Sequence, residues 1–165
     1  MSVLAVFQLV ALILGAMLCG ALVVADLRER RLPDVLNAGL AALGLIFHAL
    51  SDPPSATWAE ILAGGGFGAG FFLAMRLLFL RLRGVEALGL GDVKFMAAAG
   101  LWVGIWGIAP LILIAALATL LVVVLRHGRD IADPALRQRR IPFGPGLAFA
   151  LVVVVALQLL GVAFV

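Results

Sequence analysis

Residues 93–125 read VKFMAAAGLWVGIWGIAPLILIAALATLLVVVL, thirty-three positions with one charge, Lys94. How this run is divided decides the fold. One untilted bilayer crossing takes about 20 residues, so the run is too long for a single helix. Gly100, Gly104, Gly107 and Pro110 punctuate it. We read two helices here, over 93–103 and 105–125, the first of them short.

Outward from this run, apolar stretches cover 3–25, 35–50, 61–80 and 147–164, making six candidate crossings. Six crossings consume about 120 residues, which leaves no room for a separate soluble domain in a chain of 165. Composition agrees. The chain is 65% apolar and 13% charged, with a mean hydropathy of +1.23, against about 45–50% and about 25% in ordinary globular domains. A water-soluble domain is excluded. The expected fold is all-α: a polytopic integral membrane protein with six transmembrane helices, residues 1–165 forming one membrane-embedded domain. The first stretch has no basic residue before it and is too long for a signal-peptide core, so it reads as a helix of the mature protein.

The net charge of +3 is explained by position. Arg28, Arg30, Arg31, Arg76, Arg81, Arg83, Lys94, Arg126, Arg129, Arg137, Arg139 and Arg140 all fall on one side of a six-crossing arrangement. The opposite connections, 51–59 and 102–107, contain none. This is the positive-inside pattern, with both termini on the non-cytoplasmic side. The basic residues therefore meet anionic lipid headgroups, and nucleic-acid binding is not expected.

Cys19 is the sole cysteine, so neither a disulfide nor a cysteine zinc site can form within the chain. His48 and His127 stand apart from one another, and no metal or organic cofactor is expected. The glycines at 64, 65, 66, 68 and 70 miss the phosphate-loop spacing and lie in apolar surroundings. Gly64/Gly68 and Gly66/Gly70, each four apart, read instead as faces that let another helix approach closely.

Two acids stand out. A charge at membrane depth costs on the order of 2.5–3.5 kcal/mol even on lenient insertion scales, yet Asp26 closes the first apolar stretch and Asp92 opens the fourth. Structural readings compete: Asp26 as a solvated helix end, Asp92 as a helix N-cap. Against the first, a carboxylate at a helix C-terminus opposes the macrodipole. Both acids lie at the cytoplasmic rim of the same arrangement. There a carboxylate pair can hydrolyse a peptide bond, one ionised member taking a proton from water while its protonated partner polarises the carbonyl. The dipoles alone assign the ionised role to Asp92 and the protonated role to Asp26.

Three segments surround these acids: Asp26-Leu27-Arg28-Glu29-Arg30-Arg31-Leu32-Pro33-Asp34, Glu86-Ala87-Leu88-Gly89-Leu90-Gly91-Asp92-Val93-Lys94 and Ile141-Pro142-Phe143-Gly144-Pro145. Together, and in this order, they resemble the type IV prepilin peptidase family; the GxGD element followed by Val-Lys is the sharpest of the three. The resemblance spans roughly residues 22–150. It implies an aspartic endopeptidase of the bacterial inner membrane, multi-pass, with its site facing the cytoplasm. Such enzymes remove the basic leader from type IV prepilins and from the pseudopilins of secretion systems.

The family's catalytic aspartates map onto Asp26 and Asp92. Gly89 and Gly91 are candidate substrate-binding positions, where backbone approaches the scissile peptide. Lys94 either tunes Asp92 or extends to the headgroups. Asp34 and Glu86 are candidates to meet the basic leader, with capping and solvated loop acid as structural alternatives. Pro33 fits the first turn of the second helix. Larger relatives carry a tetracysteine zinc segment and N-methylate the new terminus. This chain resembles the short, peptidase-only form, and no methyltransferase activity is expected. Loops 81–91 and 126–141 are candidate gates. Rival functions from other classes are a small ion or proton transport subunit and a noncatalytic pilus or secretion assembly component.

Overall fold

The computed structural model describes residues 3–29, 31–51, 56–84, 88–127 and 143–162, and every regular element among them is helical. In chain order these are α1 (Val3–Glu29), α2 (Asp34–Ala49), α3 (Trp58–Arg83), α4 (Leu90–His127) and α5 (Gly144–Leu159). α1, α3 and α4 each contain a stretch long and apolar enough to cross a membrane; α2 and α5 are shorter apolar helices. Phe7, Ile13, Met17, Leu120, Leu121 and Leu125 are each more than half exposed. An outer surface this apolar belongs against lipid.

Local chemistry sets the helix ends. Thr57 and Glu60 form a capping box at the start of α3: Thr57 Oγ1 accepts from the Glu60 N–H, and the Thr57 N–H donates to Glu60 Oε2 at 2.8 Å. Gly84 closes α3 with a left-handed φ of 64° and donates its N–H to the Leu80 carbonyl. Pro33 stands one position outside α2, as its extended N-cap, rather than within the first turn.

Within α4, Gly104 has φ 66° and ψ −178°, a conformation open essentially to glycine alone. The helix breaks there into arms over 90–103 and 105–127. Met96, eight residues before the break, and Ile108, four after it, both crowd Gly68 of α3. The two arms therefore run back from Gly104 alongside α3. The break frees backbone carbonyls that no water can satisfy in an apolar interior. Side chains from other helices take them: His48 Nε2 bonds the Trp102 oxygen at 2.9 Å, and Gln158 Nε2 donates to the Val103 oxygen at 2.9 Å.

The glycine-rich stretch of α3 supplies the close contact. A Cβ at Gly64 would lie 2.5 Å from the Gly100 carbonyl oxygen, and one at Gly68 would lie 2.7 Å from that of Met96. Gly66 and Gly70 would meet nothing within 4 Å. The pair Gly64/Gly68 is thus a packing face, together with Gly65; the pair Gly66/Gly70 is not.

α4 packs on α2, α3 and α5, and α1 packs on α2 and α5. Trp102 is the hub. Its indole abuts Gly15 of α1 and Gly44 of α2, stacks on Phe47 and donates Nε1–H to the Leu40 carbonyl at 2.8 Å. Beside it lies an apolar cavity of about 280 Å³ lined by Cys19, Leu40, Trp102, Leu151 and Val155 among others. Cys19 is buried and free.

Candidate active site

Asp26 and Asp92 lie at the same depth. Gly15 of α1 touches the Trp102 indole of α4. Asp26 follows Gly15 by eleven residues and Asp92 precedes Trp102 by ten, about 16 Å and about 15 Å at 1.5 Å per helical residue. Gly91, next to Asp92, packs on Leu32, six residues after Asp26. α1 and the first arm of α4 are therefore antiparallel, and they deliver one acid each to a common level.

Each carboxylate accepts a backbone N–H. Asp92 is the third residue of α4, and its Oδ2 takes the Gly89 N–H at 3.2 Å. It therefore caps Gly89 from inside the first turn instead of standing at the N-cap itself. Asp26, 8% exposed, uses Oδ2 to accept the Gly144 N–H at 3.1 Å, across 118 positions of sequence. A Cβ at Gly144 would sit 2.6 Å from that oxygen and 2.9 Å from the carboxyl carbon. Only a residue without a side chain lets α5 start against Asp26.

This arrangement changes the electrostatics expected from α1 alone. Asp26 opposes the dipole of its own helix, but it also faces the N-terminus of α5, where a negative charge is favoured. Asp92 faces the N-terminus of α4. The dipole contrast used to give the two acids unequal roles is thereby offset.

A third N-terminus joins these two. Asp34 at the start of α2 pairs with Lys94 of α4, Oδ1 to Nζ at 2.6 Å, while Leu40 meets Trp102 one to two turns further along. α2 therefore runs parallel to the first arm of α4. α5 does so too, from Gly144 beside Asp26 to Gln158 beside Val103. Three helices start at the Asp26 end, the N-terminus of α5 at Asp26 and that of α4 at Asp92, with the start of α2 beside Lys94.

The other expected site residues divide. A Cβ at Gly91 would lie 2.9 Å from that of Leu32, so Gly91 gives room to the buried Leu32 of the segment before α2. Gly89 is exposed and donates to Asp92. Lys94 and Asp34 bond each other at the exposed rim. Glu86 lies outside the described residues, as do Arg30, Pro142, residues 85–87 of the first candidate gate loop and 128–141 of the second. Among the described residues no three His, Cys, Asp or Glu side chains gather as a metal site.

Sequence reasoning missed Gly144 as a partner of Asp26; its segment enters the sequence reading only through the resemblance. It also missed Arg76, whose Nη1 donates to the Leu88 carbonyl and ties the segment before α4 to α3.

Fold and site thus define a membrane protein, helical throughout its described elements, in which two acidic side chains from separate helices lie at one level and each accept a backbone N–H at the start of a helix. Residues 4–124 match the type IV leader peptidase family, and the chain belongs to it. A prepilin leader peptidase/N-methyltransferase of Xanthomonas campestris pv. campestris is 38% identical over 128 residues, covering 76% of this chain and 42% of that protein. The leader peptidase HopD of Salmonella typhimurium is 35% identical, over 76% of this chain and 78% of its own length. HopD of Escherichia coli is also 35% identical, over 84% of this chain and 87% of its own. The chain spans about half the length of the bifunctional relatives it matches. No solved structure matches it.

Proposed function

We propose that this protein is an aspartic endopeptidase that cuts the basic leader from type IV prepilins or pseudopilins at the cytoplasmic edge of the bacterial inner membrane. The observation that supports the proposal is that Asp26 and Asp92, counted along their helices from the Gly15–Trp102 contact, fall at one level, each carboxylate held by a backbone N–H. The relatives' names supply the substrate class.

In the proposed reaction the ionised member of the pair accepts a proton from water as the water oxygen attacks the scissile carbonyl carbon. The protonated member donates to the carbonyl oxygen. Collapse of the tetrahedral species breaks the C–N bond, and the departing amine takes up a proton. Like charges held close favour one shared proton, which is the state this step needs. Asp26 and Asp92 are the proposed catalytic residues. Gly89 and Gly91 border the substrate backbone, and the Asp34–Lys94 pair and Glu86 border the leader.

The chain crosses the membrane six times in this reading: α1, α2, α3, the two arms of α4, and α5. Both termini are on the outer side and the Asp26 end is cytoplasmic, as the placement of arginines favours. The substrate helix stays in lipid while its leader meets the site from the cytoplasm. The product terminus is left unmethylated, and mass spectrometry of the product tests this.

The deciding experiment incubates purified chain in detergent with a leader-bearing substrate. Wild type is expected to cleave it, and Asp26→Asn and Asp92→Asn, folded to the same melting temperature, are expected not to. Cleavage by either Asn variant at more than a hundredth of the wild-type rate would refute the assignment.

A further inference from the structure

Asn37 is the one amide side chain among the buried residues, 4% exposed, and neither its Oδ1 nor its Nδ2 has a hydrogen-bond partner among the described residues. Buried carboxamides are normally satisfied, and each exception calls for a reason. The side chain lies on the inward stripe of α2 formed with Leu40, Gly44 and Phe47, the stripe that packs around Trp102.

Its place relative to the acids follows from the packing of α1 on α2. A Cβ at Gly39 would lie 3.3 Å from Leu18 Cδ1, so these residues share a level. From Leu18, Asp26 lies eight residues toward the acidic end, about 12 Å; from Gly39, Asn37 lies two residues the same way, about 3 Å. The shared contact of Gly15 and Gly44 with Trp102 gives about 6 Å by the same count, so Asn37 is about 6–9 Å deeper than Asp26 along the helix axes. The Cα–Cβ bonds of a helix tilt toward its N-terminus. α1 ends at the acidic end and α2 starts there, so the Asp26 and Asn37 side chains lean toward each other.

A peptide cut by paired carboxylates must present its scissile bond unwound. The residues just beyond the cut then lose helical hydrogen bonds in a site lined with apolar side chains, where an unpaired amide is expensive. An extended chain advances about 3.3–3.6 Å per residue, so about 6–9 Å corresponds to about two to three residues. A carboxamide supplies both a donor and an acceptor, which is what a backbone peptide unit needs.

We propose that Asn37 is a substrate-binding residue that hydrogen-bonds the unwound substrate backbone two to three residues beyond the cut, on its membrane side. This rests on the peptidase reading above.

The test uses full-length chain in detergent and two kinds of leader-bearing substrate. One is all-amide; the other has an ester in place of the second or third peptide bond beyond the cut, which removes one N–H. Asn37→Leu keeps the number and branching of the side-chain heavy atoms and removes the carboxamide. It is expected to raise KM about tenfold with kcat within about threefold of wild type and no fall in melting temperature. The ester at one of the two positions is expected to cost wild type about tenfold and to cost Asn37→Leu nothing further. A tenfold change is about 1.4 kcal/mol, the net worth of one good hydrogen bond.

Additive losses from ester and variant would overturn the proposal. So would an unchanged KM, or a variant whose lower melting temperature accounts for its loss of activity. Cleavage that ignores both changes sinks this inference alone; absence of cleavage by wild type sinks the peptidase reading and the inference together.

Discussion

Adding a single methyl group at Gly144 tests whether the α5 N-terminus positions Asp26 for chemistry. In Gly144→Ala the new Cβ would lie 2.6 Å from Asp26 Oδ2, 2.9 Å from Cγ and 3.1 Å from Cβ, where ordinary contact begins near 3.4 Å. The overlap with Oδ2 is about 0.8 Å. Three atoms of one side chain are struck from the same side, so rotating the carboxylate does not relieve the clash. The group has to move by roughly an ångström, and the 3.1 Å bond from the Gly144 N–H goes with it.

Two costs follow, and they differ in size. The fold loses on the order of 1–3 kcal/mol for overpacking, which a bundle held together at Trp102 and the α3 glycines survives. A misplacement of about 1 Å in a reacting group costs about a hundredfold in rate, equivalent to about 2.7 kcal/mol at 1.36 kcal/mol per tenfold. The assay is single-turnover cleavage of a leader-bearing substrate by purified protein, with a thermal melt on the same sample. A kcat down about a hundredfold with KM nearly unchanged is expected. A kcat within threefold of wild type, in a protein that melts normally, would refute the positioning argument.

The α3 glycines make an internal comparison. Gly64→Ala drives a Cβ to 2.5 Å from two backbone atoms of α4, which cannot swing aside, and should cost at least about 1–3 kcal/mol in a thermal melt; Gly66→Ala meets nothing and should be neutral or slightly stabilising. Gln158→Leu strips the Val103 carbonyl of its donor at the α4 break, and a loss of about 1–3 kcal/mol is expected in the same measurement. Lys94→Ala removes an ion pair whose side chains are 49% and 71% exposed, so stability should change by less than about 1 kcal/mol and by less still at high salt.

Hydropathy and punctuation carried much of this fold. The excess length of 93–125 required a break, and Gly104 supplies it because ψ near 180° at positive φ excludes other residues. Asp26 and Asp92 were visible because acids at the edges of apolar runs are costly. What was hidden is partner choice. The α3 glycines at 64, 66, 68 and 70 form two equivalent four-residue spacings in sequence, and only the direction from which α4 arrives separates Gly64/Gly68 from Gly66/Gly70. Gly144 and Asp26 are 118 positions apart, so no local pattern links them. Lys94 stands two residues from Asp92 in sequence, yet its ammonium goes to Asp34 on the neighbouring helix. Asn37 was passed over because one amide in an apolar helix carries no periodic signal; its lack of a partner exists only once the neighbours are in place.

The depth of the acids follows from helix length, and this gives the last prediction. The first arm of α4 has 14 residues, and α2 and α5 have 16 each, or about 21–24 Å at 1.5 Å per residue. A bilayer core is about 30 Å thick. These three helices all end near the Gly104 break and start on the side of Asp26 and Asp92, so with that break at the outer face, as proposed, their starts fall several ångströms short of the other. α3 is level with Met96 at Gly68 and continues fifteen residues to Arg83, well past Asp92, whereas α1 ends three residues beyond Asp26; α3 therefore flanks the gap. In the proposed orientation the acids would then sit in a recess open to water on the basic side, below the level of the headgroups. Thickening the bilayer deepens the recess or forces the short helices to tilt, at a fraction of a kcal/mol per ångström. Cleavage measured in nanodiscs of increasing acyl length should therefore fall steadily, by several-fold between the thinnest and thickest, while the rate in detergent stays the reference. A rate indifferent to thickness would mean that the inner ends of α2, α4 and α5 lie level with the membrane surface, and that the short arm of α4 does not set the depth of Asp92.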